Sequence, residues 1–263
     1  MKACFLTNHS FAVWAVMTCV AAGLAQAGFG ASVNIGDFET VALDGWGSDG
    51  TFNSPSPALS QSTVGVTSGS FSLASQNPAA NFWGPATGNL IGEGYASALQ
   101  NASTLSYDLT LDSSALNGGS GSFNGFAQDN EIAITLYGNG GALNMFLQQS
   151  WGAAGVSDSL GQSAGWNGVD GTRHLVWDLT KFTGLDPTTG HTEDVAQILA
   201  NNPGIVDAKI GFAEQTGGAT GTMGDPIFYF DNVQLNLVPE PSSLALSALG
   251  AIVCLLGLRR RQG

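Results

Sequence analysis

Three tryptophans in turn-rich sequence are candidates for binding a ligand by stacking, and sugars are the ligands that most often use such stacking. Trp83, Trp151 and Trp166 each stand next to a glycine. Carbohydrate sites stack aromatic faces on sugar rings and place amides and carboxylates beside them. We predict Trp83 and Trp166 as glycan-binding residues. The alternative for each is a hydrophobic plug beneath a turn.

A second pattern could support catalysis, but its context is weak. Residues 161–165 fit the Gly-x-Ser-x-Gly nucleophile motif, and Asp170, Asp178 and His191 follow in hydrolase order. A chain rich in Gly and Ser produces such matches by chance, and the strand-to-helix elbow is missing. We therefore predict no catalytic residue and no enzymatic activity.

The charge balance excludes a nucleic-acid partner. The 263 residues hold 7 Lys and Arg against 20 Asp and Glu, a formal net charge of -13. A surface of this sign repels the phosphate backbone. Between positions 28 and 238 the bases are only Arg173, Lys181 and Lys209, so this part of the chain should attract cations.

The elements that must position these residues are short strands. The chain has 37 glycines and 10% charged residues, which is unlike a helical enzyme. Tyr137–Ala142 contains Asn-Gly-Gly and predicts a hairpin, because Asn and Gly tolerate the positive φ of tight connections. Nine segments have the alternating or short apolar pattern of strands: Ser32–Phe38, Ser62–Val66, Phe71–Ala74, Thr104–Thr110, Glu131–Tyr137, Ala142–Gln148, His174–Leu179, Lys209–Ala213 and Ile227–Leu237.

One helix is predicted near position 195. Thr192–Asp194 offers an N-cap and acidic residues, and Val195, Ile198 and Leu199 form an i, i+3, i+4 apolar stripe. Asn-Pro-Gly at 202–204 should end it. The prediction is thus an all-β, antiparallel β-sandwich with one short surface helix, in a single domain over residues 28–237.

The N-terminus has the layout of a secretory signal peptide over residues 1–27. Lys2 precedes an apolar stretch from Phe11 to Leu24, and Ala25 and Ala27 are the small residues that signal peptidase accepts. We predict cleavage after Ala27. A retained transmembrane anchor is the alternative, although about 20 apolar residues would be needed.

The last residues, 238–263, contain a short apolar segment with a basic end. Pro239, Glu240 and Pro241 precede an apolar run from Leu244 to Leu258, predicted as a transmembrane sorting helix, and an arginine cluster at Arg259, Arg260 and Arg261 should stay cytoplasmic. This layout resembles the PEP-CTERM sorting signal of Gram-negative bacteria. The resemblance implies processing near Pro-Glu-Pro by an exosortase. An ordinary C-terminal anchor is the alternative.

Residues 28–238, the body of the chain, resemble galactose-binding-like jelly rolls and related carbohydrate-binding modules at both ends. The residues that carry this resemblance are Asn34–Glu39, Leu43–Trp46, Gly69–Leu73 and Phe228–Leu235. It implies a jelly roll whose first and last strands lie together, with a structural calcium ion held by Glu39 and Asp231. Calcium prefers oxygen ligands, and all three cysteines lie outside the body. Solvated acids at strand edges are the alternative.

Together these features predict an exported protein of the cell surface or exopolysaccharide matrix, transiently anchored in the inner membrane. Its expected partners are an exosortase-type enzyme, the membrane before processing, and extracellular polysaccharide or surface proteins. We predict non-catalytic glycan binding. A glycan-acting hydrolase or lyase on the same scaffold is the alternative, because a fold does not exclude it.

Overall fold

The computed structural model describes residues 31–47, 58–76, 82–112, 132–138, 141–143, 156–158, 171–214 and 228–238. Within them the chain forms thirteen strands and two α-helices: β1 Ser32–Gly36, β2 Ala58–Ser62, β3 Ser72–Gln76, β4 Phe82–Ala86, α1 Ala96–Asn101, β5 Ala102–Leu111, β6 Ile132–Gly138, β7 Gly141–Leu143, β8 Val156–Asp158, β9 Gly171–Asp178, β10 Thr183–Leu185, β11 Thr192–Asp194, α2 Val195–Asn201, β12 Ile205–Glu214 and β13 Phe228–Leu237. Short 3₁₀ turns lie at Leu43–Gly45 and Leu179–Lys181.

The strands of the described part assemble into two larger sheets and a small ribbon. The first sheet has the order β2-β3-β13-β5-β9-β8, with β1 also paired to β13. The second has the order β4-β12-β6-β7, and β10 pairs with β11. All of these pairings are antiparallel. The predicted antiparallel all-β class is therefore confirmed.

Aromatic side chains join the two sheets into a sandwich. Phe212 of β12 lies with its ring centroid 5.0 Å from that of Tyr107 in β5 and 5.4 Å from that of Phe230 in β13. Along β9 every second residue from Arg173 to Trp177 is buried, as expected for a strand with one face in the core. The buried face of each sheet thus supplies half of one core.

The predicted hairpin and helix are both confirmed. Gly138 of β6 pairs with Gly141 of β7 across a two-residue connection. Asp194 caps α2 by accepting a hydrogen bond from the backbone of Gln197, whose side chain bonds back to the backbone of Asp194. Val195 and Ile198 are buried, as the stripe required.

Helix α1 was not predicted, so the described residues contain two α-helices where we expected one. Its first flanking residue, Tyr95, makes no side-chain capping hydrogen bond, and Leu99 is its one buried residue. A six-residue helix without a cap or a stripe leaves no local signal. It forms because it packs against α2 and β13.

The strand predicted at Ser62–Val66 is wrong. The extended segment is Ala58–Ser62, and the chain then bends over residues 63–70. Gly65 and Gly69 have φ of 73° and 71°, values that no strand accommodates. The bend directs backbone N–H groups toward the carboxylate of Asp231, as described below.

Trp83 lies in a strand, whereas we expected it in a turn. Strand β4 reads Phe-Trp-Gly-Pro-Ala, and its Gly and Pro led to the prediction of a loop. Among the described strands β4 lies at the edge of its sheet, so Pro85 is tolerated there without an N–H. Tertiary pairing with β12 therefore overrides the local turn signal.

A buried carboxylate ties the β10–β11 hairpin to the end of α2. Asp186 accepts hydrogen bonds from the backbone N–H of Thr188 at 2.7 Å and from the side-chain amides of Asn201 and Asn202, both at 2.9 Å. Burial alone would raise the pKa of Asp186, but these hydrogen bonds outweigh it and hold the pKa well below its usual range. The ionised form therefore stabilises the fold.

We expect Asp186→Asn to lower the melting temperature by several degrees near neutral pH and to matter less in acid. Because folding lowers this pKa, the stabilisation is present above the unfolded pKa of about 3.9 and is lost as the pH falls through the folded value. Thermal melts from about pH 7 to about pH 2 should show the gap between wild type and variant closing. A gap of constant size would contradict this assignment.

The compact unit comprises Ser32–Leu237. We predicted domain boundaries at residues 27 and 238. Because residues 1–30 and 239–263 lie outside the described part of the chain, both boundaries stay predictions. Within the described residues, no helix has the length and apolar character needed to span a membrane. The apolar segment Leu244–Leu258 is among the residues not described.

Candidate functional site

A polar pocket lies beside β1. Its volume is about 520 Å³, and it is bordered by the end of β1, the Leu43–Gly45 turn and the segment that precedes α1. This volume is within the range of small-ligand sites. The polar and aromatic side chains that line it are Asn34, Asp37, Thr40, Asp44, Glu93 and Tyr95.

Asp44 organises the backbone of this pocket. Its Oδ2 accepts hydrogen bonds from the N–H groups of Asp37 at 3.0 Å and Phe38 at 2.5 Å, and its Oδ1 accepts one from the hydroxyl of Thr40 at 2.9 Å. Leu43 and Asp44 have φ of 54° and 53°, which costs each about 1–3 kcal/mol. The three hydrogen bonds offset that strain, so both oxygens of Asp44 are committed to the turn.

Trp46 fixes the turn to the sandwich. Its indole N–H donates to the carbonyl of Ile35 in β1 at 2.8 Å, and its ring stacks on Phe212 at a centroid distance of 5.1 Å. Trp46 therefore packs beneath the turn and against the core. The turn that forms this wall of the pocket is therefore anchored to the core of the sandwich.

Two glycines make room for the carboxylate of Glu93. A Cβ at Gly45 would lie 2.6 Å from Glu93 Oε1, and a Cβ at Gly88 would overlap the same atom. Gly45 also has a φ of 81°, which favours glycine. Any side chain at either position would displace Glu93 from this wall of the pocket.

The pocket concentrates negative charge. Burial raises the pKa of Asp37, and the neighbouring carboxylates of Asp44 and Glu39 raise it further against a backbone hydrogen bond that lowers it. Burial also raises the pKa of Glu93, with a contribution from the charge of Asp207. Within the described part of the chain, no Lys or Arg lines the pocket. Both carboxylates would therefore gain from a hydrogen-bond donor or a cation in the pocket.

The arrangement fits a polyhydroxylated ligand. Carboxylates accept hydrogen bonds from hydroxyl groups, the amide of Asn34 can donate and accept, and Tyr95 supplies an aromatic face. Tyr95 is half-buried and packs against the core on which the pocket is built.

Asp231, predicted as a calcium ligand, is the centre of a buried hydrogen-bond network. Its Oδ2 accepts from the N–H groups of Thr67 at 2.6 Å and Ser68 at 2.8 Å, and its Oδ1 accepts from the N–H of Asn232 at 2.7 Å. The hydroxyl of Thr67 lies 3.1 Å from Asp231 and 2.6 Å from Asp108. Asp108 also meets His174 Nδ1 at 2.6 Å.

Glu39, the other predicted ligand, holds the opposite end of the same bend. It is exposed, and its Oε1 accepts from the N–H groups of Ser70 at 2.6 Å and Phe71 at 2.9 Å. A Cβ at Gly69 would overlap that oxygen. Glu39 and Asp231 thus share a task, since each binds the backbone of residues 67–71.

The groups that the structure places around Asp231 and Glu39 do not form a calcium site. The groups that face Asp231 Oδ2 and Glu39 Oε1 are N–H and O–H donors, which a cation would have to displace. In the described part of the chain, no three His, Cys, Asp or Glu residues come together as a metal site. Calcium binding stays a prediction.

The other predicted site residues lie wholly or partly outside the description. Trp83 is paired with Ala213, but its side chain is not described. Not described at all are Trp166, the nucleophile-like segment 161–165, and the processing residues Ala25, Ala27, Pro239, Glu240, Pro241, Arg259, Arg260 and Arg261. Their roles stay predictions.

Sequence reasoning missed the pocket because its walls are distant in the chain. Asp37 and Asp44 stood in the segments that suggested a jelly roll, but Glu93 and Tyr95 follow about 50 positions later with no recognisable motif. The one available signal was the Asp44-Gly45 pair, which is typical of a turn with positive φ.

Comparisons with known proteins identify the C-terminal signal. The family model for the PEP-CTERM protein-sorting motif matches residues 237–261, which confirms the motif and indicates a protein that is exported and sorted by the exosortase route. A comparison with curated proteins found no match to the chain.

Among solved structures, the chain is similar to carbohydrate-binding modules. The CBM22-1 xylan-binding domain of Paenibacillus barcinonensis Xyn10C is 12% identical with a TM-score of 0.37, and the comparison covers 80% of this chain and 96% of that one. A second CBM22 xylan-binding domain is 14% identical over 77% and 93% of the two chains, with a TM-score of 0.39. A CBM28 module specific for non-crystalline cellulose is 13% identical over 79% and 96%, with a TM-score of 0.34. Similarity this weak does not establish a shared ligand.

Proposed function

We propose that the chain is an exported protein of the cell surface or extracellular matrix whose β-sandwich binds glycan without altering it. The observation that carries the glycan proposal is the pocket beside β1, which combines an aromatic ring, an amide and carboxylates in about 520 Å³. The sorting motif at 237–261 supports the export proposal. Exopolysaccharide is the partner that such a location offers.

The finer steps of export are part of the proposal. A signal peptide is removed after Ala27, and the C-terminal segment anchors the protein in the inner membrane until an exosortase-type enzyme acts near Pro239–Pro241. Strand β13 ends at Leu237, so processing there would leave the last strand of the sandwich whole.

The carboxylate of Asp44 has a structural role and is not free for catalysis. Glycoside hydrolysis needs two free carboxyl groups, one to donate a proton and one to attack or to activate water. Both oxygens of Asp44 already accept hydrogen bonds from the turn that it holds. Asp37 and Glu93 remain available, so a hydrolase or lyase is the alternative that the following experiment also examines.

The test is retention of the purified protein on a panel of insoluble polysaccharides, with the supernatant analysed for released sugars. Retention without soluble product supports the proposal, and soluble product would establish the enzyme instead. If no polysaccharide retains the protein, the binding proposal is rejected. The intact mass of the surface-released protein should lack both Met1 and Arg261.

We expect Tyr95→Ala to weaken glycan binding about tenfold, since aromatic stacking contributes about 0.5–1.5 kcal/mol beyond buried area. Titration calorimetry with an oligosaccharide of the retained polymer measures this. The matched control is Tyr137→Ala, at a half-buried tyrosine of β6 that does not line the pocket. A larger loss of glycan affinity on replacing Tyr137, Trp83 or Trp166 would place glycan binding outside the pocket. Thermal melts verify that each variant is folded.

A further inference from the structure

The described lining of the pocket beside β1 is negatively charged. Three of its side chains are carboxylates, and among the residues that the structure describes no Lys or Arg lines it. The three cations of the body are engaged elsewhere: Arg173 is buried in β9, Lys181 ends a 3₁₀ turn, and Lys209 lies 5.7 Å over the ring of Tyr137. No side chain of the lining compensates this charge.

The two carboxylates that remain open to a ligand are Asp37 and Glu93. The hydrogen bonds of Asp44 are used by the turn, whereas Asp37 accepts one backbone N–H at 3.2 Å and a marginal contact from Asn34 at 3.5 Å. For the carboxylate of Glu93, the described residues show no hydrogen-bond donor. Burial raises the pKa of both groups; the charges of Asp44 and Glu39 raise that of Asp37 further, and the charge of Asp207, outside the lining, adds to that of Glu93.

A ligand changes this balance according to its own charge. A uronate or sulfate would add a fourth anion to the pocket and be repelled. A neutral sugar would satisfy hydrogen bonds but leave the repulsion unchanged. An ammonium group beside Asp37 or Glu93 would form a charge-assisted hydrogen bond and offset the unfavourable charge of that carboxylate, which makes it the strongest partner of the three.

We propose, on the basis of the glycan-binding function above, that this pocket binds an amino sugar with a free ammonium group, as found in a deacetylated hexosamine polymer. Tyr95 stacks against a sugar ring, and Asp37 and Glu93 each accept hydrogen bonds from an ammonium group of the polymer. Asp44 positions the site through the turn and does not bind the ligand.

Matched oligosaccharides provide the test. Calorimetry on the full chain at about pH 6 compares a β-1,4-linked glucosamine hexamer, its fully N-acetylated equivalent and a hexameric oligouronate; primary amines are mostly protonated at this pH. We expect the deacetylated hexamer to bind at least tenfold more tightly than the N-acetylated one, and the oligouronate not to bind. Asp37→Asn and Glu93→Gln should each reduce that preference by about threefold or more.

The control separates the pocket from the general acidity of the chain. Glu193→Gln removes one negative charge from β11, outside the pocket, and should leave the preference unchanged. An equal loss in this variant would overturn the inference, because net charge alone would explain the binding.

Two other outcomes are distinguishable. If the N-acetylated hexamer binds as tightly as the deacetylated one, the amino-sugar inference fails while the glycan-binding function stands. If neither hexamer binds and no polysaccharide of the panel retains the protein, the glycan-binding function fails as well.

Discussion

Replacing Phe212 with alanine will lower the free energy of unfolding by about 4 kcal/mol, which for a domain of this size is a fall of roughly 8–16 °C in melting temperature. The ring is fully buried, and it meets Trp46, Tyr107 and Phe230 at centroid distances of 5.0–5.4 Å. Its removal leaves a cavity between the sheets that neither sheet can close. Chemical denaturation monitored by tryptophan fluorescence measures the loss.

A matched substitution in the same strand provides the control. Val206 also lies in β12, but its side chain is 51% exposed, so Val206→Ala should cost less than about 0.5 kcal/mol. Equal losses in the two variants would contradict the sandwich as described. Phe212→Leu keeps most of the buried volume and should fall between them.

Replacing Asp231 with alanine will cost about 3 kcal/mol, the second largest effect that we expect. The carboxylate is buried and accepts the N–H groups of Thr67 and Ser68, both of which would lose a charged partner. Glu39→Ala removes the same kind of contact at an exposed position, where water replaces the carboxylate, and should cost about 1 kcal/mol. If the two variants lose the same stability, burial is not the source of the effect.

A further variant at the same position, Asp231→Asn, tests calcium. If calcium binds there, this change abolishes most of a calcium-dependent rise in melting temperature. The hydrogen bonds of Asp231 predict that the calcium-free melting temperature of this variant also falls. The donors on Thr67 and Ser68 would lose their carboxylate acceptor, and the amide oxygen of asparagine is a weaker acceptor. Melting temperatures measured with chelator give the contribution of these hydrogen bonds in the absence of calcium. If excess calcium does not raise the wild-type melting temperature above its value in chelator, the calcium hypothesis is rejected.

Local patterns predicted those parts of the fold whose cause is local. The alternation in β9, the Asn-Gly connection of the β6–β7 hairpin and the cap of α2 at Asp194 depend on neighbours within a few positions. Edge strand β4 was missed, since its Gly and Pro signal a turn unless a partner strand is present.

The polar groups show the limit of such patterns. The sequence marked Glu39 and Asp231 as a related pair, and the structure does give them a shared bend to hold. Their partners at 67–71 are about 30 positions from Glu39 and about 160 positions from Asp231. No short motif encodes which N–H groups will reach a given carboxylate over such distances.

The amino-acid sequence alone was enough to predict the all-β class, the C-terminal sorting motif and the alternating burial of β9, because composition, local order and alternation depend little on distant residues. The meeting of Asp37 and Asp44 with Glu93 and Tyr95 in one pocket depends on the tertiary structure. Burial of an apolar side chain requires only that some core exists. The environment of a polar side chain depends on which distant strands become neighbours, and that is settled only when the two sheets close on Phe212 and the rings around it.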